Sequence, residues 1–275
     1  MTMLRIAQAQ IPVLTDREKL ASALEHTAEK AAGESADFLT LPEMFCCPYD
    51  INCFSDYAEE QGGPIWQICS RIARSYHIFL SAGTMPERDE NGRIYNTAYV
   101  FDRNGGQIAK HRKMHLFDIS IEGGQHFQES AILTPGDSIT TFDTEFCIMG
   151  LAVCYDIRFP ELFRLMELRG ADLILVPASF NMTTGPMHWE LLFRSQAVFH
   201  QIFIAGTAPA RNENTSYVSW GHSIITDPWG NVLSLMDASE DFRITEIDLE
   251  ECNKAREQIP LLRHRRKDIY TIKEH

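Results

Sequence analysis

Gly150-Leu-Ala-Val-Cys-Tyr-Asp-Ile-Arg-Phe-Pro-Glu-Leu-Phe-Arg164 decides how the rest of this 275-residue chain is read. The apolar run from Ile148 to Val153 predicts a buried strand, and it breaks at Cys154. A helix is predicted to start near Pro160, because proline is pre-organised for a first helical turn. Cys154 therefore occupies a strand-to-helix corner. A sulfur exposed at such a strand end, near helix-terminal N–H groups, has a lowered thiol pKa and acts as a nucleophile. A small apolar residue finishing a core strand fits the same position, so the choice depends on what the chain brings to the corner.

Composition sets the frame. A chain of this length can bury a sizeable core, and 44% hydrophobic with 23% charged residues is ordinary for a globular protein. A formal net charge of −13 argues against a nucleic-acid binder, whose footprint is basic. The first residues lack the charged and apolar regions of a signal peptide, and no apolar run is long enough for a membrane span. Seven cysteines, an odd number, fit free thiols in a reducing cytoplasm.

Outward from the corner, strands and helices alternate. Strands are predicted over Leu4 to Ala9, Asp37 to Leu41, Ile78 to Gly83, Asp172 to Pro177, Ile202 to Gly206 and Phe242 to Ile247. Hairpins are predicted at Tyr95 to Lys113, around Asn104-Gly105, and at Gly221 to Leu235. Ile139 to Phe142 pairs with the strand that leads to Cys154. Thr15-Asp-Arg-Glu18 has capping-box spacing, and Leu20, Leu24, Ala28 and Ala31 give the following helix one apolar face. Further helices are expected over Pro64 to Tyr76 and His188 to His200. Hairpins mixed with strand–helix–strand crossovers imply one α/β domain with more than one sheet. The irregular stretches 43–62, 114–138 and 179–187 exceed what connections need, and such loops are commonly functional.

Two of those stretches follow charged residues at strand ends. Glu43 ends Leu39-Thr-Leu-Pro-Glu43, where a carboxylate is either solvated or a general base in a pocket. Lys113 ends the hairpin strand in Lys110-His-Arg-Lys-Met-His-Leu-Phe-Asp118, either as a solvated basic edge or as a fixed cation pointing inward. A thiol, a carboxylate base and a cation at three strand ends make a complete kit for acyl transfer: base-activated attack, then oxyanion stabilisation by the cation and a backbone N–H.

Leu-Pro-Glu43, Lys-His-Arg-Lys113-Met-His-Leu-Phe and Cys154-Tyr-Asp-Ile-Arg-Phe-Pro-Glu, in this order, resemble the three signatures of the nitrilase (carbon–nitrogen hydrolase) superfamily. Within it, Phe127-Gln-Glu-Ser130, Leu133-Thr-Pro-Gly-Asp137, Phe180 to Leu192, Ala208-Pro-Ala-Arg211 and Ser216 to His222 resemble the omega-amidase branch. The resemblance implies an α/β fold, a four-layer αββα sandwich of two mixed sheets with outer helices. It implies a hydrolase domain over residues 1–250, with 251–275 as a C-terminal tail packing on the domain or on a partner subunit. Subunits usually pair, so a homodimer or a higher even oligomer is expected.

The resemblance also implies roles. Glu43 would be the general base, Cys154 the nucleophile, Lys113 the cation facing the tetrahedral intermediate, and Glu129 the second glutamate that orients the lysine and the amide. The substrates would be 2-oxoglutaramate and 2-oxosuccinamate, with no metal or organic cofactor. Read from the residues, the Tyr155 N–H is a second oxyanion donor. Arg158, four residues past Cys154, either grips a substrate carboxylate or pairs with Asp156 or Glu161. Asn181 is a further candidate for substrate contact, and Phe117, with Phe127 and Phe180, suits either pocket wall or core. His111 and His115 at i, i+4 would suggest a metal pair only on a helix with an intervening Glu. The basic run Arg263 to Lys267 stands alone in an acidic chain and suits a packed or solvated tail better than nucleic acid. Alternatives are an amidase for deaminated glutathione or N-carbamoyl compounds, and a silent nitrilase-like binding protein, which the intact Glu43, Lys113 and Cys154 disfavour.

Overall fold

The computed structural model describes residues 2–122 and 126–274. In chain order, β1 (Met3–Gln10), β2 (Phe38–Thr40), β3 (Phe79–Arg88), β4 (Ile94–Phe101) and β5 (Gln107–Arg112) build a first sheet. Two short strands, β6 (Asp118–Ser120) and β7 (His126–Gln128), pair with each other. A second sheet takes β8 (Thr140–Asp143), β9 (Ile148–Leu151), β10 (Ala171–Pro177), β11 (Phe203–Thr207), β12 (Ile224–Thr226) and β13 (Val232–Leu235), and β14 (Asp241–Asp248) returns to the first. Among the described residues the strand orders are β14-β1-β2-β3-β4-β5 and β13-β12-β11-β10-β9-β8.

The two sheets share a plan. Parallel β1, β2 and β3 are joined through α1 (Arg17–Gly33) and, after the single turn α2 (Phe54–Tyr57), through α3 (Pro64–Tyr76). Parallel β9, β10 and β11 are joined through α4 (Pro160–Leu168) and α5 (Gly185–His200). Antiparallel strands flank both sets. Parallel neighbours need a helical crossover, so each helix pair lands on one sheet face.

Alternation along β1 sorts the layers. Leu4 and Ile6 join the core against the second sheet, while Ala7 and Ala9 join Leu20, Leu24, Ala28 and Ala31 of α1 on the other face. Gln8 and Gln10 share the face of Leu4 and Ile6 and bridge the sheets: Gln8 Nε2 donates to the Gly206 carbonyl (2.8 Å) and Gln10 Nε2 to the Asp237 carbonyl (2.7 Å). The Thr40 and Thr207 hydroxyls meet at 2.8 Å across the same interface. The result is the αββα sandwich, and its parallel strands deliver their carboxyl ends to one edge.

Local details depart from the sequence reading. Asp16, and not Thr15, caps α1, its carboxylate accepting from the Glu18 and Lys19 N–H groups. Asp16 is the residue whose side chain lies within reach of both orphan donors. β3 runs on to Arg88, past the predicted end at Gly83, because β4 pairs with its distal half. Beyond β14, α6 (Glu250–Gln258) buries Cys252 and Ala255, and Gln201 Nε2 donates to the carbonyls of Ala255 and Ile259. α7 (Leu261–His264) follows, with Arg263, Arg266 and Lys267 exposed. Among the described residues no helix is long and apolar enough to cross a membrane.

Candidate active site

The chain turns sharply after β9. Cys154 has φ +48°, a left-handed conformation that costs a non-glycine residue roughly 1–3 kcal/mol. It opens a 3-10 turn, Cys154–Arg158, and Pro160 then starts α4. Asp156 holds this corner in place. Its Oδ2 accepts from the Val153 N–H (2.9 Å) and from His111 Nε2 (3.3 Å). Its Oδ1 accepts from the His115 N–H (2.9 Å) and Nδ1 (2.8 Å). His111 and His115 flank Lys113, so one carboxylate ties the corner to the end of β5. The histidine pair thus serves a carboxylate, and among the described residues no cluster suits a metal ion.

Glu43 comes from the end of β2 by a second strained turn, with Met44 at φ +51°. Gly83 permits this turn: a Cβ there would lie 2.0 Å from the Pro42 carbonyl oxygen. The neighbouring Thr84 donates its N–H to that carbonyl, and its hydroxyl accepts the Met44 N–H. Glu43 Oε1 accepts from Asn96 Nδ2 (2.8 Å) and Lys113 Nζ (3.2 Å), and the Tyr49 hydroxyl oxygen lies 3.3 Å away. Its Oε2 accepts the Ser179 N–H at 2.8 Å. Lys113 Nζ also donates to Glu129 (2.9 Å) and to the Tyr49 oxygen (3.2 Å). Glu129 is fixed by the Tyr49 hydroxyl (2.6 Å) and the Phe117 N–H (2.7 Å). Glu43, Lys113 and Glu129 have no exposed surface.

The electrostatics differ from the sequence expectation at one point. Cys154 is buried, not exposed, and its thiol is pushed well above the ordinary range, first by burial and then by the facing Glu43 carboxylate. Lys113 opposes this without cancelling it. The resting sulfur is thus a neutral thiol facing the Glu43 carboxylate, and it needs that base to become a nucleophile. Burial also raises Glu43; Lys113 pulls it back, but that ammonium is shared with Glu129, whose repulsion adds to the rise. Burial would lower Lys113, yet Glu129, Glu43 and Cys154 outweigh it and keep the lysine charged. A raised carboxylate is the stronger base, and a permanent cation beside it can stabilise an oxyanion.

A cavity of about 180 Å³ adjoins Glu43, with Tyr49, Ser179, Asn212 and Tyr217 in its walls. The Tyr49 and Tyr217 rings stack at 4.4 Å. Of the stretch 114–138 expected beside the site, residues 123–125 lie outside the described residues.

Comparison with known proteins gives the family. Residues 4–257 match the family described as carbon-nitrogen hydrolase. The chain belongs to the carbon–nitrogen hydrolase family. It is 43% identical to omega-amidase NIT2 of Mus musculus over 99% of this chain and 98% of that protein. It is 46% identical to omega-amidase NIT2-A of Xenopus laevis over 90% and 89%. Its fold superposes on Saccharomyces cerevisiae Nit3, a member of branch 10 of the nitrilase superfamily, with a TM-score of 0.89 and 36% identity, covering 96% and 97% of the two chains. It is a hydrolase acting on non-peptide carbon–nitrogen bonds.

The remaining candidates in this carbon–nitrogen hydrolase occupy distinct surroundings. Arg158 pairs with neither Asp156 nor Glu161. Its Nη1 lies 3.2 Å from His188 Nδ1, its guanidinium sits over the Phe180 and Tyr155 rings at 5.0 and 5.5 Å, and its buried Nε has no partner among the described residues. Arg211 is committed to the Ser219 and Trp220 carbonyls. Asn181 Oδ1 accepts the Thr183 and Thr184 N–H groups and the Thr184 hydroxyl, shaping the entry to α5. Phe117 is buried, edge-on to Tyr155 at 5.2 Å. Tyr155 follows Cys154 in the 3-10 turn, where the first N–H groups lack helical acceptors. Tyr49, Asn96, Asp156, Ser179 and Tyr217 escaped the sequence reading. Asp156, inside the Cys154 motif, and Tyr217, inside the Ser216 to His222 segment, lay in stretches the sequence had already marked, but without a role.

Proposed function

We propose that this hydrolase is an omega-amidase, cleaving the terminal amide of 2-oxoglutaramate, 2-oxosuccinamate and similar short monoamides to the dicarboxylate and ammonia. Glu43 takes the Cys154 proton and the thiolate attacks the amide carbon. Lys113 and the Tyr155 N–H hold the oxyanion, one such donor being worth roughly 3–4 kcal/mol of barrier. Glu43 then hands its proton to the amide nitrogen and ammonia leaves. Water, deprotonated by Glu43, cleaves the thioester, and the thiolate recovers its proton. Glu129 keeps Lys113 charged and aimed.

The observation that carries the substrate class is the unpaired, buried Nε of Arg158. A guanidinium without a carboxylate partner among the described residues, stacked against two rings four residues from the nucleophile, suits a substrate carboxylate, which it can grip at two points. The omega-amidase names of relatives matched along nearly their whole length support the same substrates. Phe117 would wall the acyl site and Asn181 would border it. A homodimer belongs to this reading, supported by the exposed Leu191 and Phe199 on α5 with Trp229 nearby. So does a cytoplasmic location, supported by seven cysteines that are all free. The test compares specificity constants for succinamate and butyramide in wild type and Arg158→Lys. The ratio should fall at least about tenfold, since a point charge cannot reproduce the planar fork. An unchanged ratio moves the carboxylate site away from Arg158.

A further inference from the structure

We infer that Tyr217 is a positioning residue whose hydroxyl occupies the Ser179 carbonyl and so leaves the Cys154 thiol proton to Glu43; this rests on the roles proposed above for Cys154 and Glu43. One peptide group touches both reacting partners. The Ser179 N–H donates to Glu43 Oε2 at 2.8 Å, while the Ser179 carbonyl accepts two donors, the Tyr217 hydroxyl at 2.5 Å and, by a long contact of 3.7 Å, the Cys154 thiol.

A thiol has one proton to place. Directed at the Ser179 carbonyl it is stored, and directed at Glu43 it is ready for transfer. The Tyr217 hydroxyl is the nearer and stronger donor to that carbonyl, and an oxygen already holding a short O–H bond competes poorly for the weaker S–H. The same bond polarises the peptide and strengthens the donation of its N–H to Glu43. Both effects favour the reactive arrangement.

Tyr217 is delivered by the segment between β11 and β12, and its position does not depend on the hydroxyl. Arg211 grips the Ser219 and Trp220 carbonyls, the Trp220 N–H donates to the Phe180 carbonyl (2.7 Å), and the Thr215 hydroxyl donates to the Tyr217 carbonyl (2.8 Å). The ring stacks on Tyr49 and meets Phe127 edge-on at 5.7 Å. Phenylalanine keeps those contacts and removes one oxygen.

The full-length Tyr217→Phe variant is compared with wild type in succinamate turnover and in the second-order rate of Cys154 alkylation by iodoacetamide at a fixed neutral pH. Both kcat and the alkylation rate should fall by about threefold to tenfold, the equivalent of one neutral hydrogen bond. KM should stay within about twofold. Wild-type values of both rates overturn the inference. So does a fall in kcat with alkylation unchanged, which would place the hydroxyl on substrate and not on the thiol. Cys154→Ala is run alongside. Labelling or turnover that persists there removes the nucleophile assignment itself, a failure separable from that of Tyr217.

Discussion

Glu43 and Asp156 are both carboxylates without exposed surface, both beside strained corners, and burial pushes both upward. They finish on opposite sides of the ordinary carboxylate range. Asp156 faces four donors, and hydrogen bonds from His111 and His115, with the Val153 N–H, outweigh its burial and hold it well below that range. Glu43 must share Lys113 with Glu129, which lies nearer the ammonium (2.9 against 3.2 Å), and it stays raised. A buried carboxylate with exclusive donors is architecture. One whose counter-charge is shared keeps the basicity that chemistry needs.

The two corners should therefore fail differently. Cys154→Ala and Glu43→Gln should each lower kcat/KM for succinamate by on the order of 10⁴-fold or more, with the urea midpoint kept near wild type. Most of the activity surviving in either variant would return that residue to a packing role.

Asp156→Ala is the converse. It leaves buried His111, half-buried His115 and two backbone N–H groups without their acceptor, and each buried donor left unsatisfied costs about 1–3 kcal/mol. The loss should register as a lower urea midpoint at unchanged m. A variant destabilised by less than about 1 kcal/mol would show the corner to be held by packing alone.

The smallest effect is in the pH dependence, where the two groups have opposite signs. Asp156 is depressed in the native state, so its stabilisation is complete above the unfolded value near pH 3.9 and is lost as pH falls below it toward the lower native value. Glu43 is raised, so its contribution weakens as pH rises through the unfolded value near 4.3 toward the native one. Activity requires Glu43 ionised. The acid limb of kcat/KM should hence titrate above about pH 4.3, as a property of the Glu43, Lys113, Glu129 and Cys154 set together. An acid limb at or below that value would remove the distinction between the carboxylates.

How much of this was legible follows from where the signals lie. The Cys154 corner could be read because an apolar strand, a cysteine and a helix-starting proline are adjacent in the chain, and α3 spans Pro64–Tyr76 as expected. Glu43, Lys113 and Glu129 could be read as strand-end charges only through the motifs around them. The thiol's ionisation was misread because sequence shows that a strand ends, not whether the end is covered. Here Ser179, from a different crossover of the second sheet, lies against Cys154 and Glu43.

The sequence by itself determined the alternation of strands and helices, the three chemical groups and the family, since each is written in local spacing and residue type. The tertiary structure alone decided which carboxylate is a base and which is a brace. Those roles depend on how many donors and like charges converge on each group, and most of those neighbours come from distant segments, 41 residues away for His115 against Asp156 and 136 for Ser179 against Glu43. Pairings at such separations leave no periodicity to read, because only the packing of the two sheets brings their strand ends to one edge.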